Sequence, residues 1–138
     1  MPDFMLAQRG EVGDLPRLRE RGYVFDLKVD GVRALVTCDH DRLTLVSRND
    51  KQFAARFPEL IQPLERLRER SVVLDCEIAV PDRRGLPSWP LTQRRTARQS
   101  GAGRVEPHLR ARLYVFDLLR LDGLDTTAHT FAERRELL

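Results

Sequence analysis

From residue 23 to residue 29 apolar residues recur at every second position. Tyr23, Phe25, Leu27 and Val29 fall on one side, and Asp26 and Lys28, followed by Asp30, on the other. A period of two predicts a β-strand with one buried face. Gly31 marks a turn or bulge, residues 32–38 predict a second strand, Asp39-His40-Asp41 a hairpin connection, and residues 43–48 a third strand ending in a turn at Asn49-Asp50. The period then changes. Phe57, Leu60, Ile61, Leu64 and Leu67 recur at helical spacing, with Pro58 suited to the first turn. Residues 72–80 return to strand, placing Asp75 and Glu77 on one face, and Pro-Asp-Arg-Arg-Gly at 81–85 closes a turn. Residues 91–98 predict a short helix whose Arg94, Arg95 and Arg98 form a basic face, suited to salt-sensitive phosphate contacts that do not read sequence. A Gly-rich loop follows at 100–104, a strand at 113–119 and a helix from Thr130, which with Glu133 has the spacing of a capping box. Antiparallel strands interleaved with helices define an α+β class: antiparallel sheets with flanking helices.

The 138 residues suit one domain with one core, and no apolar run approaches the ~18 residues of a membrane span. The N-terminal Met-Pro-Asp-Phe lacks the features of a signal peptide, so a cytoplasmic location is expected. Cys38 and Cys76 match no metal spacing and read as reduced thiols; the three His are scattered. A net charge of +3 and a pI of about 9.3 permit an anionic partner without requiring one.

Of the 24 basic residues, only Lys28 and Lys51 are Lys; the rest are Arg. Arg stays protonated, so a nucleophilic nitrogen has to be Lys. Lys28 therefore has two readings: a covalent nucleophile, or a surface lysine paired with Asp26 or Asp30. The flanking acids stabilise the ammonium form and oppose the first reading unless Arg33, Arg48 or a metal offsets them. Lys51, beside a polar turn, reads as solvated surface. There is no G-x-x-x-x-G-K-[ST] loop and no G-x-G-x-x-G before a helix, and Ser100-Gly101-Ala102-Gly103 is too short to cradle a phosphate.

Four segments in order resemble a known family. "KVDGVR" (28–33) resembles the K-x-D-G-x-R motif of covalent nucleotidyltransferases, which include ATP-dependent DNA ligases, RNA ligases and capping enzymes. "SRND" (47–50) is similar to the S-R-N-G element of ligases, "LDCEIAV" (74–80) to D-G-E-[IV], and "YVFDLLRLDG" (114–123) to the aromatic motif that follows. "PSWPLTQRR" and "FAERRELL" are similar to segments of bacterial end-joining ligase domains. The resemblance implies a partial nucleotidyltransferase domain of the ATP-grasp-like ligase adenylation type. It implies ATP and Mg²⁺ or another divalent metal as cofactors, nicked or broken DNA as partner in repair, and a bacterial cytosol or nucleoid setting. Lys28 would take AMP from ATP. Asp26 would meet the adenine amino group, Arg33 the phosphate and ribose, Arg48 the same side and Glu77 a ribose hydroxyl, while Phe116 would stack on the base. Taken singly, Phe116 also reads as strand core and Glu77 as the partner of a surface Arg.

The chain departs from the family in three ways. Asp26 stands where Glu is usual. Cys76 replaces the glycine between Asp75 and Glu77, where its side chain is expected to crowd the backbone near the nucleotide. The sequence stops before the later E-G-[VI]-[VM] motif, a further phosphate-binding Lys and the OB-fold domain. Residues 1–138 are thus expected to form a single, truncated adenylation domain with exposed apolar surface, completed by a protein or second chain and unable to seal nicks unaided. The alternative is a catalytically deficient remnant that binds nucleotide, nucleic acid or protein.

Overall fold

The computed structural model describes residues 11–98 and 105–138; the N-terminal Met-Pro-Asp-Phe and the Gly-rich stretch at 100–104 lie outside them. In chain order the elements are α1 (Leu15–Glu20), β1 (Val32–Cys38), β2 (Leu43–Ser47), α2 (Pro58–Glu65), β3 (Val72–Pro81), β4 (Pro87–Ser88), α3 (Trp89–Thr96), β5 (Arg112–Leu121), β6 (Leu124–Asp125) and α4 (Phe131–Glu136). The strands form one antiparallel sheet in the order β2-β1-β3-β5-β6, with the short β4 added to β3.

Local chemistry sets the turns. The Asp39 carboxylate accepts the N–H groups of Asp41 and Arg42, closing the β1–β2 hairpin. After β2, the Ser47 hydroxyl accepts the N–H groups of Asn49 and Lys51. At the far end of β3, Asp82 accepts from Arg84 and Leu86 while Gly85 takes φ +82, where a side chain would be strained. Thr130 and Glu133 complete the capping box that starts α4.

One face of the sheet carries the main core. Ala34, Val36, Cys38, Leu45, Leu74, Cys76, Ile78 and Val80 pack with Phe57, Leu60 and Leu64 around α2. Phe53 and Phe57 meet edge to face with centroids 5.5 Å apart. A smaller cluster of Leu35, Val46, Val73 and Leu119 lies on the other face, which is otherwise polar near the middle strands.

Three expectations are corrected. Residues 23–30 form no strand. A strand is a relation between two backbones, and the described residues provide no neighbour for this segment, however regular its alternation. Its apolar side chains are correspondingly open: Phe25 is half-exposed and Leu27 is 89% exposed. The basic face expected over residues 91–98 is also not free, and the helix ends at Thr96, before Arg98. Arg95 is 3% exposed, lies over the Phe57 ring and pairs with Glu59 at 3.1 Å. Glu59 in turn accepts the Ala111 N–H at 3.1 Å, so this ion pair joins α2, α3 and the entry to β5. Arg98 pairs with Glu106 at 2.6 Å, which leaves Arg94 exposed. The third correction, Cys76, belongs to the site.

Candidate active site

The register of the sheet places Arg33 of β1 opposite Glu77 of β3, and Glu77 opposite Tyr114 of β5. Side chains directly opposite one another share a face, so these three form one row across the middle of the sheet. In the next row Leu35 faces Asp75, and Asp75 faces Asp117. Arg33 reaches diagonally between the rows: its Nε donates to Asp75 Oδ1 at 2.9 Å and its Nη2 to Asp75 Oδ2 at 2.7 Å. Asp75 is fully buried. These hydrogen bonds outweigh the burial of Arg33 and hold its guanidinium above the usual arginine range.

Phe116 enters this group through an irregularity. The pairing of β3 with β5 shifts register between Asp75 and Cys76 and again between Val73 and Leu74, leaving Phe116 and Leu119 as the extra residues of β5. Such bulges re-aim side chains. Here the Phe116 ring lies beneath Arg33, with the guanidinium carbon 5.1 Å from the centroid.

Gly31 joins the row to the segment bearing Lys28. Its N–H donates to Glu77 Oε1 at 3.1 Å. A Cβ at this position would lie 2.3 Å from the Ile78 carbonyl oxygen and 2.9 Å from Glu77 Cγ. Only glycine allows the backbone to approach so closely. Gly31→Ala is therefore expected to lose about 1–3 kcal/mol of stability through overpacking against backbone that has little room to yield. Urea unfolding of both proteins checks this; an unchanged midpoint would contradict it.

Glu77 is half-buried, and burial raises its carboxyl above the ordinary Glu value. The Gly31 N–H and the charges of Arg33 and Lys28 oppose that rise, and Asp75 adds to it. The folded state therefore favours the neutral carboxyl more than the unfolded state does. Stability contributed at this position is lost as pH rises from the ordinary Glu range through the raised folded value. Glu77→Gln keeps an oxygen for Gly31 but cannot ionise. Its stability relative to the wild type is expected to improve across that window and then level off. Parallel urea titrations at a series of acidic to neutral pH values read this directly, and a flat difference would count against it.

The structure thus brings Arg33, Glu77 and Phe116 together, with Lys28 close enough for its charge to act on Glu77. The Lys28 side chain is 84% exposed and its ammonium pairs with Asp30, one of the two acids flanking it. Asp26 stands at the edge of the group, its Oδ2 3.6 Å from Arg135 of α4. Arg48 lies one residue past β2, exposed in the turn; no hydrogen bond or ion pair joins it to the row among the described residues.

Cys76 does not crowd this face. It is fully buried in the main core on the opposite side, and its thiol donates to the Ala34 carbonyl at 3.0 Å. Burial pushes that thiol well above its usual range, so it is an inert core group.

Two residues of this face, Asp75 and Tyr114, carry no nucleotide-binding role in the sequence reading. Asp75 fixes the Arg33 fork; its position two residues before Glu77 is the signal for a shared face. The Tyr114 hydroxyl is buried without a hydrogen-bond partner among the described residues, and Tyr114 precedes Phe116 by two. Among the described residues, no group of three or more His, Cys, Asp or Glu is arranged to hold a metal ion.

Comparison with known proteins places this geometry. The family model described as ATP dependent DNA ligase domain matches residues 4–138. The multifunctional non-homologous end joining protein LigD of Mycobacterium bovis is 37% identical over 134 residues, covering 97% of this chain and 16% of that protein. DNA ligase C of Mycobacterium tuberculosis is 32% identical over 114 residues, covering 83% of this chain and 32% of its own length. The solved structure of mycobacterial DNA ligase D complexed with ATP and MES matches with a TM-score of 0.68 at 35% identity, over 81% of this chain and 34% of that one. The chain thus spans a third or less of these two relatives' length. With the match running over nearly every residue, and with the Lys28 segment, the Arg33–Glu77 row and Phe116 assembled on one sheet, the chain belongs to the ATP-dependent DNA ligase domain family.

Proposed function

We propose that this chain forms the nucleotide-accepting part of an ATP-dependent DNA ligase, with Lys28 as the residue that carries AMP. The observation that supports it is the convergence of a carboxylate, an arginine fork and an aromatic ring on the face reached by the Lys28 segment, with Gly31 as the hinge between them. The Lys28 amine, once free of its proton, forms a bond to the α-phosphorus of ATP. The bond from that phosphorus to the bridging oxygen breaks, pyrophosphate leaves, and one of the two amine protons is lost to solvent, leaving an N–H on the phosphoramidate. Glu77 accepts a ribose hydroxyl, Phe116 offers a face to the base, and Asp26 accepts from the adenine amino group. The buried Tyr114 hydroxyl is a further donor awaiting a partner on the same row. Arg33, held by Asp75, presents positive charge toward the phosphates, and Arg48 adds charge from the adjoining turn.

A divalent cation such as Mg²⁺ supplies charge neutralisation on the phosphates when bound. With no cluster of protein ligands among the described residues, it fits as an ion held chiefly by phosphate oxygens and water, the usual mode for Mg²⁺ with nucleotides. The acceptor of the AMP is then the 5′-phosphate of nicked or broken DNA during repair, in keeping with the end joining named for the LigD relative. A protein or second chain completing the domain belongs to the same proposal. Intact-mass measurement after incubation with ATP and Mg²⁺, followed by peptide mapping, tests it. The expected result is one AMP on Lys28. An adduct elsewhere would overturn the assignment, and ATP binding without any adduct would favour the reading as a binding module.

A further inference from the structure

Arg135 of α4 makes two contacts that bear on base recognition. Its guanidinium lies 3.6 Å from Asp26 Oδ2, and its Nη1 donates to the Phe116 carbonyl at 3.3 Å. It also packs beside the Phe131 ring at 5.9 Å. Asp26 and Phe116 are the residues proposed above to meet the edge and the face of the base. Asp26 lies in residues 23–30, which have no strand partner to fix them, and its Oδ1 is already taken by the Leu27 N–H at 2.8 Å. Among the described residues, Arg135 is the group from outside the segment that reaches the Asp26 carboxylate.

We infer that Arg135 is a positioning residue for base selection, fixing the Asp26 carboxylate relative to the Phe116 ring so that the site prefers adenine to guanine; this rests on the reading of Asp26 and Phe116 given above. A carboxylate has about four acceptor positions, so the contacts with Leu27 and Arg135 leave Asp26 able to accept an exocyclic amino group. Adenine presents that donor at its six-position. Guanine presents a carbonyl oxygen there, which a fixed carboxylate repels. A carboxylate free to swing away repels it less. Arg134, not Arg135, makes the buried ion pair that docks α4, whereas Arg135 is 43% exposed, so its removal leaves the fold in place.

The test is equilibrium binding of ATP and of GTP, each with Mg²⁺, to the wild-type chain, Arg135→Ala, Arg135→Lys, Asp26→Ala and the Asp26→Ala/Arg135→Ala double variant. Calorimetry gives the affinities and thermal melting confirms folding. An exposed pair of this kind limits the effect to about fivefold. Arg135→Ala is expected to lower the ATP-over-GTP preference by about that factor, mainly by weakening ATP, with Arg135→Lys recovering part of it. In the Asp26→Ala background the Arg135 change should have no effect. An unchanged preference in Arg135→Ala, an equal loss in the Asp26→Ala background, or a wild type that binds both nucleotides equally would overturn the inference. Intact mass on the same samples reads Lys28 separately. ATP binding with the stated selectivity but no adduct would reject the transfer reaction and support Arg135's role.

Discussion

A Lys28→Arg chain incubated with ATP and Mg²⁺ is expected to gain no AMP, and Lys28→Ala to behave identically. The two substitutions differ in charge but share the lack of a nucleophilic amine. A guanidinium keeps its proton and has no lone pair to offer phosphorus, so preserving the positive charge rescues nothing. Loss of a covalent nucleophile typically costs about 10⁶ in rate, which places the remaining reaction below detection. Misfolding does not confuse the result. The Lys28 side chain is 84% exposed and its ion pair with Asp30 is on the surface, so either substitution should change stability by less than about 0.5 kcal/mol. Lys51 is the other amine of the side-chain inventory, and its exposed position makes it the natural control. Label on Lys51, or label that survives Lys28→Arg, would show that the reaction does not run through the residue proposed.

Arg134→Ala should produce a large loss of stability. Arg134 Nε and Nη2 donate to the two oxygens of Asp117 at 2.6 and 2.7 Å, and Nη1 donates to the His129 carbonyl at 2.6 Å. The two residues are 4% and 3% exposed. Truncation leaves the Asp117 carboxylate inside with the Leu118 N–H as its remaining hydrogen-bond donor. Breaking a buried pair from one side typically costs 3–5 kcal/mol, roughly the penalty of stranding a charge. Urea unfolding should show a lower midpoint with little change in slope. Asp117→Asn, which keeps the shape and removes the charge, should cost less than Asp117→Ala. A loss under about 1 kcal/mol for Arg134→Ala would mean that water or another cation reaches Asp117 once the guanidinium is gone.

Much of this arrangement is legible along the chain because it is local. The apolar strand-like runs at β1, β2, β3 and β5, the helical spacing of Phe57, Leu60 and Leu64, and the Thr130–Glu133 cap each show themselves within a few residues, and each forms where its pattern lies. The misses share a different cause. Residues 23–30 have the alternation of a strand, but pairing depends on a partner that no local pattern contains. Arg95 reads as surface because its helix is polar; it is internal because Glu59, 36 residues earlier, waits there with an acceptor for it. Cys76 sits between two site acids, and the strand pleat alone sends it to the other face. The row of Arg33, Glu77 and Tyr114 depends on register, which joins residues more than 35 positions apart. The motif resemblance supplied two of those three; the third became visible only across the sheet.

The irregular pairing of β5 makes face assignment in this strand a matter of parity. Tyr114 and Asp117 are three residues apart, an odd interval, yet both lie opposite acids of the same face of β3. Were Phe116 paired with Asp75 and not left out of the ladder, the count would set Asp117 opposite Leu74, in the main core. Deleting one residue between Tyr114 and Asp117 would instead make the ladder regular and keep Asp117 opposite Asp75, at the cost of the ring that the irregularity turns beneath Arg33. The second extra residue, Leu119, resets the phase before the strand ends at Leu121. Relatives one residue shorter here are expected to keep the Arg134–Asp117 anchor and to lack the aromatic ring beneath the arginine, so the anchor and the ring are separable features of one strand.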